Sequence, residues 1–145
     1  MAPVLVRRFS SEDAAYLAGL IDGEGTIALS RRHSNERRQL VVSISSTERC
    51  ILDWVAAAVG AGKITRKRVV STLHAPGLTY SISNRQALSV LAQVSPFLRS
   101  YKRKRAELVL DRYLRLTPRN GKYSDNVSTE RAGFEHAFAN ITARS

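Results

Sequence analysis

The stretch Leu17 Ala18 Gly19 Leu20 Ile21 Asp22 Gly23 Glu24 Gly25 decides the reading of this chain, because an apolar, helix-like run ends in two carboxylates. A helix C-terminus carries partial negative charge, so Asp22 and Glu24 there each cost about 0.3–1 kcal/mol unless a cation sits beside them. A bound divalent metal would remove that cost. Hard cations such as magnesium take carboxylate, carbonyl and water oxygens and leave room for a substrate phosphate, so metal-assisted phosphoryl chemistry is the first idea to weigh.

Working outward, Ser10 or Ser11 followed by Glu12 and Asp13 is a helix start with acids in the first turn, where the dipole favours them. The helix runs to about Asp22. Within it, Ala14 with Ala18 and Ala15 with Gly19 place small residues four apart, a spacing that lets a second helix approach closely. Gly25 breaks the helix. Two alternating segments follow: Ile27 and Leu29 oppose Thr26, Ala28, Ser30 and Arg32, and Leu40, Val42 and Ile44 oppose Arg37, Gln39, Val41, Ser43 and Ser45. Each reads as a strand with one buried face. The polar, basic residues between them, Arg31 to Arg38, read as a hairpin loop.

Thr47 and Glu48 begin a second helix whose apolar side uses Ile51, Leu52, Val55 and Val59, closed by Gly60, with Trp54 and Cys50 expected in the core. A third strand from about Lys63 to Val69 places Lys63, Thr65 and Lys67 on one face, with Arg66 and Arg68 near the strand end. A fourth, Leu78 to Ser83, shares Thr79, Ser81 and Ser83. Asn84 caps a helix bearing Leu88, Leu91 and Val94 that ends at Ser95 and Pro96. A longer helix from Tyr101 to Leu116 has Ala106, Val109, Leu110 and Tyr113 at core spacing. A polar linker, Pro118 to Asn126, precedes a last helix starting at Ser128 or Thr129, with Phe134, Ala137, Phe138 and Ile141 on one stripe. The expectation is an α+β fold in one domain spanning residues 1–145.

The chain of 145 residues, 43% hydrophobic, is long enough to bury roughly 68–70% of its unfolded surface. One cysteine, Cys50, cannot form an internal disulfide, and His33, His74 and His136 have no zinc-ligand spacing. The longest apolar stretch, Trp54 to Val59, falls far short of the 18 or so residues that a membrane span needs, and Met1 to Val6 is too short for a secretory signal. The expected setting is soluble and intracellular, with no membrane partner. A net charge of +11 and a pI near 10.7 attract polyanions by counterion release, so nucleic acid is the expected partner. A basic ribosomal or membrane-surface protein would share that composition.

A second anomaly lies at Lys102 Arg103 Lys104 Arg105, four cations at a helix start, where the dipole disfavours them. An isolated run of this kind reads as a solvated basic turn or a targeting signal. Beside the misplaced acids it reads differently. Carboxylates short of a cation and cations short of an anion are the parts of a phosphodiester hydrolysis site.

At Leu17 to Gly25 the sequence resembles the LAGLIDADG homing endonucleases, with Gly23 Glu24 Gly25 standing where that family has Ala or Gly, then Asp or Glu, then Gly. The element order resembles the family's αββαββα core over about residues 10–116, leaving a linker and helix, 117–145, outside it. That resemblance implies an antiparallel DNA-binding sheet. A single motif copy implies a homodimer in which motif helices pack side by side, through Ala14, Ala15, Ala18 and Gly19, with Asp22 capping or joining the helix pair, over a near-palindromic site.

The resemblance assigns Glu24 as ligand of the catalytic ions, Mg2+ or another divalent cation such as Mn2+ or Ca2+, with the Gly23 carbonyl as a further ligand and no small-molecule cofactor. Lys102, after Pro96 Phe97 Leu98 Arg99, corresponds to a catalytic-site lysine, with Lys104 the neighbouring candidate across a one-residue gap. Ser46 stands where some members have Gln, and Arg49 matches a nearby Arg loosely; Ser46 reads equally well as a helix cap. Ser30, Arg32, Arg37, Gln39, Val41, Ser43, Thr65, Lys67, Arg68, Thr79 and Ser81 correspond to the major-groove surface, with Lys104 beside it.

A strand of eight residues spans about 26 Å at roughly 3.3 Å each, about eight base pairs at roughly 3.4 Å per pair. A dimer then covers a site on the order of twenty base pairs. The implied function is a site-specific, double-strand DNA endonuclease, encoded with an intron or intein and working in the cytoplasm or a DNA-containing organelle. Two readings compete with it: an intron maturase acting on RNA, and a DNA-binding module of the same fold that has lost cleavage.

Overall fold

The computed structural model describes residues 5–66 and 77–145. Helix α1 (Ser11–Glu24) is capped by Ser10, whose hydroxyl accepts from the Asp13 amide at 3.1 Å, an arrangement worth about 1 kcal/mol. It runs directly into β1 (Gly25–Ser30), followed by β2 (Gln39–Ser46), α2 (Arg49–Val59), β3 (Lys63–Arg66), β4 (Leu78–Ser83) and α3 (Asn84–Val94). A single 3-10 turn, Ser95–Phe97, leads to α4 (Lys102–Arg112), and α5 (Asp125–Ala139) ends the chain. This is the expected αββαββα order, with further helices after it.

Among the described residues, four strands form one antiparallel sheet in the order β1-β2-β4-β3. Its buried face carries Ile27, Leu29, Leu40, Val42, Ile44, Leu78, Tyr80 and Ile82, packed against Leu17 and Ile21 of α1, Leu52 and Val55 of α2, Leu88 and Leu91 of α3, and Val109 of α4. Phe134 and Phe138 of α5 join the same core. Period-two alternation puts the opposite residues on an open face, half-buried or exposed along every strand.

Gly25 ends α1 for a steric reason. Its φ of −106° is accessible to any residue, but a Cβ there would stand 2.7 Å from the Ile21 Cα and 3.0 Å from the Ser43 carbonyl oxygen. Only glycine lets the helix end press against β2. Gly60, in contrast, closes α2 in the left-handed region at φ 76°.

Several local expectations are corrected. Cys50 is exposed, on the side of α2 turned away from Leu52 and Val55, whereas Trp54 is half-buried, packed against the margin of the core and edge-on to Tyr16 at 4.8 Å between ring centres. Leu110 likewise faces outward. Helix α2 starts at Arg49, later than Thr47, while α5 starts at Asp125 because Ser124, not Ser128, accepts the capping bond from the Val127 amide. Asn84 does not cap α3 conventionally: it adopts φ 54°, and its carboxamide oxygen accepts from the Tyr113 hydroxyl at 2.8 Å. That hydroxyl in turn accepts from the Leu40 amide of β2 at 3.1 Å, tying α4 to the sheet. The strand proposed to Val69 is described only to Arg66; Lys67 and Arg68 lie outside the described residues.

Candidate active site and nucleic-acid interface

The two charge anomalies meet in space. Lys102, 8% exposed, reaches back from the first turn of α4 and donates its ammonium to the Ile21 carbonyl at 2.8 Å and the Asp22 carbonyl at 2.9 Å. It thereby supplies the cation that α1 lacks at its C-terminus. Asp22 answers from the other side: its carboxylate accepts from the Arg99 amide at 2.9 Å, the Ser100 amide at 3.1 Å and the Ser100 hydroxyl at 2.5 Å. The Ser100 oxygen then accepts from the Lys102 amide at 3.2 Å, at the start of α4.

These bonds shift both groups. Burial pulls the Asp22 carboxyl upward, yet the bonds from Ser100 and Arg99, aided by the charge of Lys102, outweigh it and hold the group below its ordinary value. Burial pushes the Lys102 ammonium below the usual lysine range; Asp22 and Glu24 oppose that shift and Arg105 reinforces it. Asp22 is thus engaged within its own chain, where its carboxylate holds the turn that precedes α4.

Glu24 differs from Asp22. It is exposed at the last position of α1 and, among the described residues, forms no hydrogen bond or ion pair, although it lies within electrostatic reach of Lys102. The acid beside Gly23 is therefore open to an external cation, and its hard oxygen donors suit a magnesium-like ion. Among the described residues no three His, Cys, Asp or Glu side chains cluster as a metal site. A cation at Glu24 would need its remaining ligands from backbone carbonyls such as that of Gly23, from water, from a phosphate or from a second protomer.

Ser46 lies two residues beyond Ile44, the partner of Gly25, and so at the same end of the sheet as Glu24. Its hydroxyl accepts from the Glu48 amide at 3.0 Å, which shapes the turn into α2. Arg49 pairs with Asp53 at 3.6 Å on the exposed side of α2. Both side chains have local structural partners. Lys104 is exposed in the first turn of α4, and its neighbour Arg103 pairs with Glu107 at 3.0 Å.

The small residues of α1 divide between two faces. Ala14 at 4% exposure and Ala18 at 0% are sealed in this chain's own core, so they are withdrawn from the expected interface between helices. A stripe 100° away carries Ala15 and Gly19, both exposed, and a Cβ added at Gly19 would meet nothing within 4 Å. Ala15 and Gly19 border a hollow of about 310 Å3 that Asp22, Phe97 and Arg103 also line.

The open sheet face presents rows of short polar side chains. Thr26, Ser43, Ser81 and Lys63 stand side by side across the strands, as do Thr65, Thr79 and Ser45, the last two bonded at 3.0 Å. Ser30 lies opposite Gln39, and Val41 beside Ala28 and Ser83. Together with Arg31, Arg32 and Arg37 of the hairpin loop, Ser30, Gln39, Val41, Ser81 and Lys63 line a concavity of about 710 Å3 in which Glu36 is the acid. Lys63 and Ser45 were on the predicted face but not among the expected contacts; the same alternation that selected Thr65 and Ser43 selects them.

The profile of the LAGLIDADG-like domain matches residues 11–94, from the start of α1 to the end of α3. The chain belongs to the LAGLIDADG family. No functionally curated protein matches the sequence significantly. Solved structures of similar fold include the homing endonuclease I-CvuI in complex with its target in the presence of 2 mM Ca, at 21% identity and TM-score 0.73, covering 91% of this chain and 83% of that one. A second I-CvuI structure, with uncleaved DNA and 2 mM Mg, has a TM-score of 0.72 at 21% identity, covering 90% and 82%. The LAGLIDADG meganuclease I-AabMI bound to uncleaved DNA matches at 22% identity and TM-score 0.63, covering 84% of this chain but 43% of its own. The archaeal intron-encoded homing endonuclease I-Vdi141I with DNA matches at 15% identity and TM-score 0.61, covering 92% and 86%. The LAGLIDADG homing endonuclease fold is thus common to single-unit relatives and to chains about twice as long. Among the described residues no helix is long and apolar enough to cross a membrane.

Proposed function

We propose that this LAGLIDADG protein is a divalent-metal-dependent DNA endonuclease that acts as a homodimer on a long, near-palindromic duplex site. The observation that carries the reading is the exposed Glu24 carboxylate at the α1–β1 junction, without a hydrogen bond or ion pair among the described residues, where an open, cation-rimmed sheet begins. Family membership and the DNA-bound relatives support the same substrate.

Each part of the chain has a task. Rows of Ser and Thr hydroxyls permit close approach to base edges and both donate and accept. Arg31, Arg32, Arg37 and Lys63 at the rim supply phosphate and guanine contacts. Glu24, with the Gly23 carbonyl, would hold the metal in a shell completed by phosphate oxygens and water. A bound divalent cation acidifies water and neutralises charge on the leaving oxygen. Lys102 engages two of its three N–H groups on α1 carbonyls and so brings a fixed positive charge to the junction beside Glu24.

The paired state is supported by stoichiometry. One chain offers one Glu24 and one sheet, and this chain corresponds to 43% of I-AabMI, so two copies supply what the longer relative carries in one. The exposed Ala15 and Gly19 stripe is the close-approach surface left for that pairing.

The test is incubation of the purified protein with a randomised duplex DNA library and Mg2+ or a chelator, followed by sequencing of the cut ends. Metal-dependent cutting at a recurrent near-palindrome supports the proposal. Intact DNA under every metal condition, with tight binding to structured RNA, would replace it with a splicing role.

A further inference from the structure

Helix α5 is fastened to the arginine-bearing hairpin loop by contacts that hydrophobic packing does not require. Arg131, 1% exposed, directs its guanidinium out of α5 to the Arg38 carbonyl at the end of that loop, while bonding the Leu116 carbonyl at 2.6 Å and the Thr117 hydroxyl at 2.7 Å. Glu135, one turn on, accepts from Arg131 at 3.1 Å and pairs with the Arg38 side chain at 3.5 Å. One residue back, the Arg37 guanidinium lies 3.5 Å from the ring centre of Tyr123 and donates to the Ser128 hydroxyl at 3.4 Å.

These contacts act on one half of the loop. The C-terminal segment holds Arg38 through backbone and side chain and Arg37 through its side chain, whereas among the described residues Arg31 donates within the loop to the Ser34 carbonyl at 3.2 Å and neither it nor Arg32 bonds α5. A free arginine carries about 2 kcal/mol of rotamer entropy, and a surface loop has little to fix its shape. Stacking on Tyr123 and the one bond to Ser128 remove much of that freedom while leaving most of the five guanidinium donors of Arg37 available. Such fixing lowers the ordering cost of binding. The far end of α5 is secured independently, by Arg105, which donates to the Ile141 carbonyl and the Ile27 carbonyl, each at 2.8 Å.

We infer that α5 is the recognition-positioning element of this protein, in which Tyr123 and the Arg131–Glu135 pair hold Arg37 and Arg38 in the orientation that reads the outer part of the DNA site. The inference rests on the proposed endonuclease reading for its consequence, but the brace itself can be tested without DNA. Tyr123 and Glu135 are positioning residues, neither being assigned a contact with DNA.

The experiment compares wild type, Tyr123→Leu, Glu135→Gln, Arg37→Ala and Tyr123→Leu/Arg37→Ala. In the free protein, amides of residues 31–38 exchange hydrogen faster in Tyr123→Leu and Glu135→Gln while those of β2 do not change. Unchanged loop exchange would overturn the brace. Against the randomised duplex library, Tyr123→Leu weakens binding about tenfold and relaxes base preference at the outer positions, and it adds nothing once Arg37 is Ala. An additive double variant, or loss of preference spread evenly over the site, would refute positioning through Arg37 while leaving the endonuclease reading intact. A wild type that binds no duplex would remove the DNA role and the endonuclease reading together, whatever the loop exchange shows.

Discussion

Lys102 and Asp22 exchange ends: the lysine ammonium closes the carbonyl end of the helix that carries Asp22, and the Asp22 carboxylate holds the turn that begins the helix carrying Lys102. The two helices thus correct each other's charge defect across 80 residues of sequence. Of the two acids in the motif, Asp22 is engaged by the turn at residues 99–100, and Glu24 keeps its carboxylate exposed.

The Asp22 pairing sets an acid limb. Its carboxyl titrates below the ordinary value of 3.8 in the folded chain, so the unfolded chain binds its proton first as the pH falls. The stabilisation is complete above 3.8 and is lost as the pH drops through the lower folded value. Asp22→Asn keeps one acceptor but loses the charge and one hydrogen bond from a backbone N–H, which lowers stability at neutral pH by about 1.5–3 kcal/mol. Urea unfolding from about pH 6 to about pH 2 should show the variant and wild type converging at the acid end. Parallel curves over the whole range would disprove the assignment.

Lys102 and Lys104 separate by the same logic. Lys102→Met leaves the Ile21 and Asp22 carbonyls without their charged donor and costs about 1.5–3 kcal/mol per hydrogen bond at most, with loss of DNA cutting even where the variant remains folded. Lys104→Met, at an exposed position, changes stability by no more than about 0.5 kcal/mol. Thermal melts beside single-turnover cutting rates distinguish them. Equal stability losses would mean that the ammonium contacts of Lys102 are not made in solution.

The fold was legible because its signals are local. Period-two alternation from Thr26 to Ser30 and from Gln39 to Ser45 selected the right sheet face, and Ser10 and Gly60 marked helix ends by the chemistry of their own backbones. The site was legible only in outline. Ala14 and Ala18 have the same spacing as Ala15 and Gly19, and spacing does not say which stripe the core takes; burial by the sheet decides that. Asp22 and Glu24 are two residues apart and equally acidic, yet a turn from residues 99–100 engages the first and leaves the second open. No local pattern in α5 announced that Arg131 bonds a carbonyl ninety-three residues away.

Gly19 tests the dimer without touching the core. With open space around a Cβ there, Gly19→Ala stabilises the isolated chain by about 0.5–1 kcal/mol through helix propensity. Gly19→Leu keeps the chain folded but separates the facing helices. Sedimentation equilibrium should show wild type as a dimer and Gly19→Leu as a folded monomer. A dimer undisturbed by leucine would place the contact elsewhere.

Lys63 stands on the open face opposite Ser81 and lines the same concavity as Arg32 and Arg37. If it neutralises a phosphate, Lys63→Ala weakens binding across all sequences and reduces the slope of log affinity against log salt by about 1 per protomer. Fluorescence titration over a range of KCl concentrations measures both. A change in base preference with an unaltered slope would instead make Lys63 a reader of bases.

Glu24→Gln brings stability and activity into opposition, which makes it the most discriminating substitution. An acid at a helix C-terminus is unfavourable, and the Lys102 ammonium, already bonded to two α1 carbonyls, offsets only part of that through space, so removal of the acid raises stability by at most about 1 kcal/mol at low salt. The same change withdraws the anionic oxygen that would ligate a divalent ion, and cutting should fall by a factor of about 100 or more. DNA binding, which depends on the sheet face and its cations, persists. Melting curves without metal, binding in Ca2+ and cutting in Mg2+ read the three quantities separately. A more stable protein that binds and no longer cuts identifies Glu24 as a residue kept for chemistry at a cost to the fold; a variant that still cuts removes the metal from this end of α1.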